Sequence, residues 1–250
     1  DVGLHVLIPP SEGKADGGVR ATTKGSFDAS LGAARRTVRS ALAETLAGAT
    51  PAQQFRVLGV RGPLLDRALV ASDQLTRGRA PILPAWQRYE GVVWQHLDPA
   101  TLRSAQRRRI LVPSALYGVT TAEDPIADYR LKFDVRLEGV GRLDDFWRGA
   151  VTEAVVAVAH KGPVINLLPA EHDRALDHDE LSRRCDVVTV TFVSASGAGA
   201  AGHAAKAVKG VVTRVLIQDG LDALEGFTWE GWTSRRVADG YAVRAPRGRS

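Results

Sequence analysis

Residues 110–131 read ILVPSALYGVTTAEDPIADYRL, and the change of character along this stretch decides the fold class. Ile110-Leu111-Val112 is a continuous apolar run, the pattern of a short strand covered on both faces. It empties into Tyr117, Gly118, a polar turn broken by Pro125, and then Tyr129-Arg130. A buried strand feeding a loop of hydroxyl, carboxylate and guanidinium groups is a common way for a rigid scaffold to carry a polar site.

Outward from that stretch, strand and helix patterns alternate without a strict rhythm. Leu4–Ile8 reads as an opening strand, Pro163–Leu168 and Val187–Val193 as buried strands, and Phe227–Val243 as a terminal hairpin. Helical spacing runs over Ser30–Leu46, Leu143–His160 and Ala204–Leu216, and Pro99–Arg109 reads as a short basic helix. Tyr89–His96 suits a strand or a short helix, and Leu131–Leu137 alternates as a half-exposed strand does. No composition shift divides the chain. The expectation is one compact mixed α/β (α+β) domain over 1–250 around a central mixed sheet, ending in a basic tail at 244–250.

Composition narrows the function classes. With 44% apolar residues in 250, a sizeable core can be buried. No apolar run is long enough to span a bilayer and no leader pattern precedes the first strand, so a soluble, cytoplasmic monomer is expected. One cysteine, Cys185, excludes an intramolecular disulfide and a cysteine-rich metal site. His172 and His178 match no zinc spacing, and neither a metal nor a cofactor is expected. The net charge of +5 favours an anionic partner, nucleic acid or phosphorylated ligand.

Five groups can carry chemistry. Ser11-Glu12-Gly13-Lys14 follows the first strand as an anion-holding turn, without the spacing of a phosphate-binding P-loop; a solvated turn is the alternative. Residues 50–75 have the outline of a helix-hairpin-helix, with Thr50 as N-cap and Pro51 at the first helical position. Its turn, Gly59-Val60-Arg61-Gly62, would present backbone N–H groups to DNA phosphates, helped by Arg56, Arg61 and Arg67. An ordinary helical hairpin remains the alternative. In the third group Lys206 and Lys209 share a helix face with His203, with Arg214 further along, and two adjacent ammonium groups repel unless an anion sits between them. A neighbouring cation and burial would lower the pKa of one lysine; a solvated face is the plainer reading. The fourth is Asn166, Glu171 and His172 at a strand exit, where Glu171 and His172, with Lys206, could act as acid, base or nucleophile. The fifth is the loop carrying Tyr117, Tyr129 and Arg130.

Taken in order, these pieces resemble the YaaA family of peroxide-stress proteins over nearly the whole chain. The resemblance rests on VLIPPSEGK at 6–14, YEGVVW at 89–94, SALYGV at 114–119, YRL at 129–131 and LDDFW at 143–147. It continues through VINL at 164–167 with Glu171, KAVKG at 206–210 and WEGW at 229–232. It implies a fold with a helix-hairpin-helix-like element and a positively charged cleft formed by Lys14, Tyr117, Arg130, Asn166, Glu171, Lys206 and Lys209. It also implies a cytoplasmic protein that binds duplex DNA with little sequence preference and limits peroxide and iron damage. The chain departs from the family pattern at Thr121-Ala122, Asp128, Lys132 and His172. A lost arginine and a gained aspartate lower the expected positive potential of that loop. They point to a second possibility, a diverged enzyme acting on a nucleotide-like or anionic small molecule, as in a biosynthetic pathway.

Overall fold

A computed structural model describes residues 3–159 and 162–247. His160, the last residue of the helix expected over 143–160, and the final three residues of the basic tail lie outside the described residues.

One eight-stranded mixed sheet organises the chain. Its centre is parallel: Ile110–Ser114, His5–Leu7, Val164–Asn166, Val187–Val193 and Gly240–Arg244 lie side by side in that order. Antiparallel partners close both flanks, Gly118–Thr121 beside Ile110–Ser114, and Trp232–Val237 then Thr228–Trp229 beside Gly240–Arg244. Ile110, Leu111 and Val112 form an unbroken apolar run and are fully buried. Val187–Val193, expected to be buried, is mostly half-exposed, with Val190 buried and Thr191 exposed, because threonines interrupt its apolar run nearer the flank of the sheet. The opening strand sits between its sequence-distant partners, with Leu7 in register with Leu111 on one side and Asn166 on the other.

Two helices position the site. His203–Asp219 packs against the short helix Val92–Leu97 at glycine-permitted distance: a Cβ on Gly210 would stand 2.3 Å from the Val93 carbonyl oxygen. Leu143–Ala159 buries Trp147, whose indole donates to the Ala115 carbonyl at 2.7 Å.

Several expectations are corrected in detail. Tyr89–His96 resolves as a one-residue bridge at Tyr89 followed by the helix Val92–Leu97. The basic helix over Pro99–Arg109 is interrupted. A 3-10 turn at Pro99–Thr101 precedes the single turn Ser104–Arg107, and Arg107 folds back onto the Pro99 and Leu102 carbonyls. Leu131–Leu137 is not a strand over its length, for only Arg136–Leu137 pairs, with Gly141–Arg142. The carbonyls of Phe133 and Val135 instead accept from Asp144 and Leu143, filling the unsatisfied donors at a helix start. The terminal hairpin is a three-stranded meander.

Candidate functional site: a cleft at the strand ends

The carboxyl ends of the parallel strands supply the site. The chain leaves His5–Leu7 for the strand on one side and later returns to the strand on the other, so sequence order reverses between His5–Leu7 and Val164–Asn166. In open α/β sheets the two loops leaving such a point diverge and open a crevice. Here those loops are Pro9–Lys14 and Pro169–His172, and they line two adjoining chambers. Pro10, Ser11, Glu12, Glu171 and His172 belong to both chambers.

The smaller chamber, about 90 Å³, is completed by Lys14, Tyr129, Arg130, Lys132, Phe133 and the hairpin turn Leu58–Val60. The larger, about 490 Å³, is completed by Pro9, Val93, Trp94, Phe192, the alanines Ala200, Ala201 and Ala205, and the pair Lys206 and Lys209. That size falls in the range of small-molecule sites, roughly 300–1,000 Å³.

Lys14 is buried, 5% exposed, beneath this surface. Its ammonium donates to the Ser11 carbonyl at 2.7 Å and lies 4.3 Å from the Tyr129 ring centre. No carboxylate lies within ion-pair distance of it among the described residues. Burial first, then the Arg130 guanidinium, push its pKa down to about 7. The loop that carries it is fixed from behind. Arg67 donates to the Lys14 carbonyl at 2.7 Å, and buried Arg88 donates to the Gly17 and Pro81 carbonyls, each at 3.1 Å.

Across the cleft, Lys209 is half-buried with its ammonium 5.2 Å from the Phe192 ring centre. Burial, then neighbouring Lys206, lower its pKa to about 8. His172 packs edge-on against Phe133, and burial with the Lys209 and Lys132 charges pulls its pKa down to about 4, so the ring is neutral at pH 7. Its Nδ1 is buried with no hydrogen-bond partner among the described residues. Glu12 and Lys132 join the first loop to the 130–133 loop through a 2.8 Å ion pair, which holds the Glu12 carboxyl below its usual range.

The structure brings together Ser11, Lys14, Tyr129, Arg130, Glu171, His172, Lys206 and Lys209. It leaves three of the expected ligand-binding residues outside the chambers. Tyr117 lies behind the wall, its hydroxyl accepting from the Ala127 N–H at 2.9 Å. Asn166 is held between Asp173 and the Leu168 N–H, at 2.8 and 3.0 Å. Arg214 caps the Val92–Leu97 helix and its turn, donating to the Leu97 and Asp98 carbonyls and to Thr101. Of the hairpin residues, Gly59 turns with φ +70 and lines the smaller chamber; Arg61 stacks on Phe55 at 4.0 Å, and Arg56 and Gly62 are exposed. Arg67 is consumed by Asp128 and Asp16 at 2.8 and 3.0 Å. The aspartate read as lowering the potential of its loop is thus neutralised by an arginine from another helix.

Sequence reading passed over Trp94, Phe192 and Lys132 as site residues, and named Glu12 only as part of the first loop. The aromatic pair gave no signal apart from core. Lys132 was visible as a departure from the family pattern, but its partner Glu12 is 120 positions away in the chain.

Comparison with known proteins agrees with this picture at the level of the family. The family model described as "Peroxide stress protein YaaA" matches residues 4–237. A UPF0246 protein of Streptomyces coelicolor is 35% identical over 224 residues, covering 87% of this chain and 84% of that protein. One from Corynebacterium efficiens is 32% identical over 221 residues, covering 85% and 84%. A more distant relative from Parabacteroides distasonis is 28% identical over 166 residues, covering 60% and 65%. With a family model spanning nearly the whole chain and relatives above 30% identity over most of it, this chain belongs to the YaaA family.

Proposed function

We propose that the cleft captures an anionic, nucleotide-like small molecule, and that the chain acts on that ligand as a diverged enzyme of the family. One observation carries the reading: Lys14, Arg130, Lys206 and Lys209 line the two chambers, and none has an ion-pair partner among the described residues. Cations confined to a cavity raise the local concentration of anions and hold a phosphate or carboxylate by charge-assisted hydrogen bonds. Beside Lys206 and Lys209 lies an apolar floor of Trp94, Phe192 and Val93, suited to a planar ring attached to the anion. Glu171 and neutral His172 stand at the junction of the chambers, where a proton donor or acceptor would meet ligand in either.

Duplex DNA is the second reading, with cytoplasmic protection against peroxide and iron damage as its setting. It is favoured by the net charge of +5 and by the exposed Arg56 and Arg61 beside the hairpin turn. The buried Lys14 cannot reach a duplex backbone without rearrangement, whereas a small anion can enter the chamber. A competition experiment separates the two: fluorescently labelled duplex DNA and a nucleoside 5′-monophosphate are each titrated at low and physiological salt. The small-ligand reading expects nucleotide binding that survives physiological salt and is blocked by inorganic phosphate. Micromolar duplex binding that falls steeply with salt, with no nucleotide binding, would transfer the assignment to DNA.

A further inference from the structure

The chain is arginine-dominated, yet its few lysines are not scattered. Of the six in the sequence, Lys14, Lys132, Lys206 and Lys209 line the cleft, which has a single arginine, Arg130. Where only a permanent positive charge is needed, arginine serves equally well, and elsewhere this chain uses it. An amine differs in that it can lose its proton and become a nucleophile.

Among the four, Lys14 is placed for that chemistry. It is the most buried, it points over the Tyr129 ring, among the described residues its ammonium donates only to the Ser11 and Glu12 carbonyls, and its main chain is pinned by Arg67. Carbonyl oxygens are weak counter-ions compared with a carboxylate, and the Asp128 and Glu12 carboxylates, which favour the charged form, lie beyond ion-pair distance, so burial and the Arg130 charge outweigh them. Lys132 differs in being tied to Glu12, and Lys206 in being exposed.

We infer that Lys14 is a nucleophilic lysine that forms an imine with an aldehyde or ketone carbonyl on the anionic ligand of the cleft. This rests on the reading of the cleft as an anion site and adds a reactive group to it. In the step, the free amine attacks the carbonyl carbon and a C–N bond forms. One proton passes from nitrogen to the former carbonyl oxygen, giving a carbinolamine. A second proton transfer expels that oxygen as water and leaves C=N. Glu171, without an ion-pair partner among the described residues and bordering both chambers, is the group placed to carry these protons.

Pyridoxal 5′-phosphate is a suitable probe because it joins an aldehyde to a phosphate. The intact protein is incubated with it at pH 7.5, reduced with borohydride, digested and mapped by mass spectrometry, with exposed Lys24 as internal reference. Label on Lys14 at about tenfold or more over Lys24 is expected, and inorganic phosphate should suppress it. Lys14 sees Glu12 from its own loop, Arg67 from the Pro63–Thr76 helix, and Asp128 and Arg130 from the loop opposite; with these its labelling should reach half its maximum near pH 7 and level off at about pH 8–9. Lys24 should keep rising toward pH 10 as ordinary lysines do. In Lys14→Arg, which keeps the charge, the label should vanish while circular dichroism stays unchanged. Equal labelling of Lys14 and Lys24 in the wild type, or label confined to Lys206 and Lys209, would overturn the inference; the latter pattern, if phosphate-protected, would leave the anion site standing. Lys14 labelling that phosphate does not suppress would keep the nucleophile and remove the anion reading.

Discussion

His172 shows how one side chain in the cleft sets a pH dependence for the whole fold. Its pKa falls to about 4 against 6.5 for a free histidine, chiefly because burial penalises the charged ring. Between those values the unfolded chain takes up a proton that the native protein refuses. Native stability is therefore lost as pH drops from 6.5 toward 4, and the ring makes no difference above that window. His178 works in the opposite direction, since its Asp173 partner raises its pKa. Replacing His172→Phe isolates the first effect. Urea unfolding at pH 7 and pH 4.5 should show the wild type losing on the order of 1–2 kcal/mol more than the variant between the two conditions. An equal loss in both proteins would mean that the ring is solvated and free to titrate.

At the scale of elements, legibility followed local physics. The helix over residues 51–58 was readable because its start is written in adjacent residues: Thr50 accepts from the Gln53 N–H, Gln53 returns the bond, and Pro51 opens the first turn. The buried strands Ile110–Ser114 and Val164–Asn166 were readable from their apolar runs, while Val187–Val193, read the same way, is mostly half-exposed. Leu131–Leu137 has the alternation of a strand, yet its carbonyls are claimed by the helix that follows, a tertiary choice that periodicity does not encode. The loops that meet at the cleft were readable one by one, but their meeting was not, because it depends on contacts such as Glu12–Lys132 between positions far apart in the chain, and Tyr117, Asn166 and Arg214 fall outside it. Gly210 belongs to this scale as well, since the contact it permits brings the Lys206–Lys209 face to the cleft wall. A Cβ there would meet the Val93 oxygen at 2.3 Å and the Leu97 nitrogen at 2.8 Å, both backbone atoms. Gly210→Ala should cost about 1–3 kcal/mol or more, read as a lower Tm in thermal unfolding, and should weaken ligand binding in the same variant. An unchanged Tm would show that the two helices do not pack this closely.

For the molecule as a whole, the loops leaving the parallel strands diverge at the reversal of strand order, and four of the six lysines line the crevice there. This separates general basicity, carried by surface arginines such as Arg56 and Arg61, from a confined lysine cluster. Among the described residues no helix is long and apolar enough to cross a membrane. The central claim, that the confined cluster and not the surface charge binds the ligand, is met most directly by one titration. Nucleoside 5′-monophosphate is titrated calorimetrically into the wild type, into a Lys206→Ala/Lys209→Ala variant and into an Arg56→Ala/Arg61→Ala variant. The account predicts that the cleft substitutions raise Kd about tenfold or more, ~1.4 kcal/mol, while the surface pair leaves it within about twofold. Binding that ignores the cleft lysines and collapses with the surface arginines would contradict it.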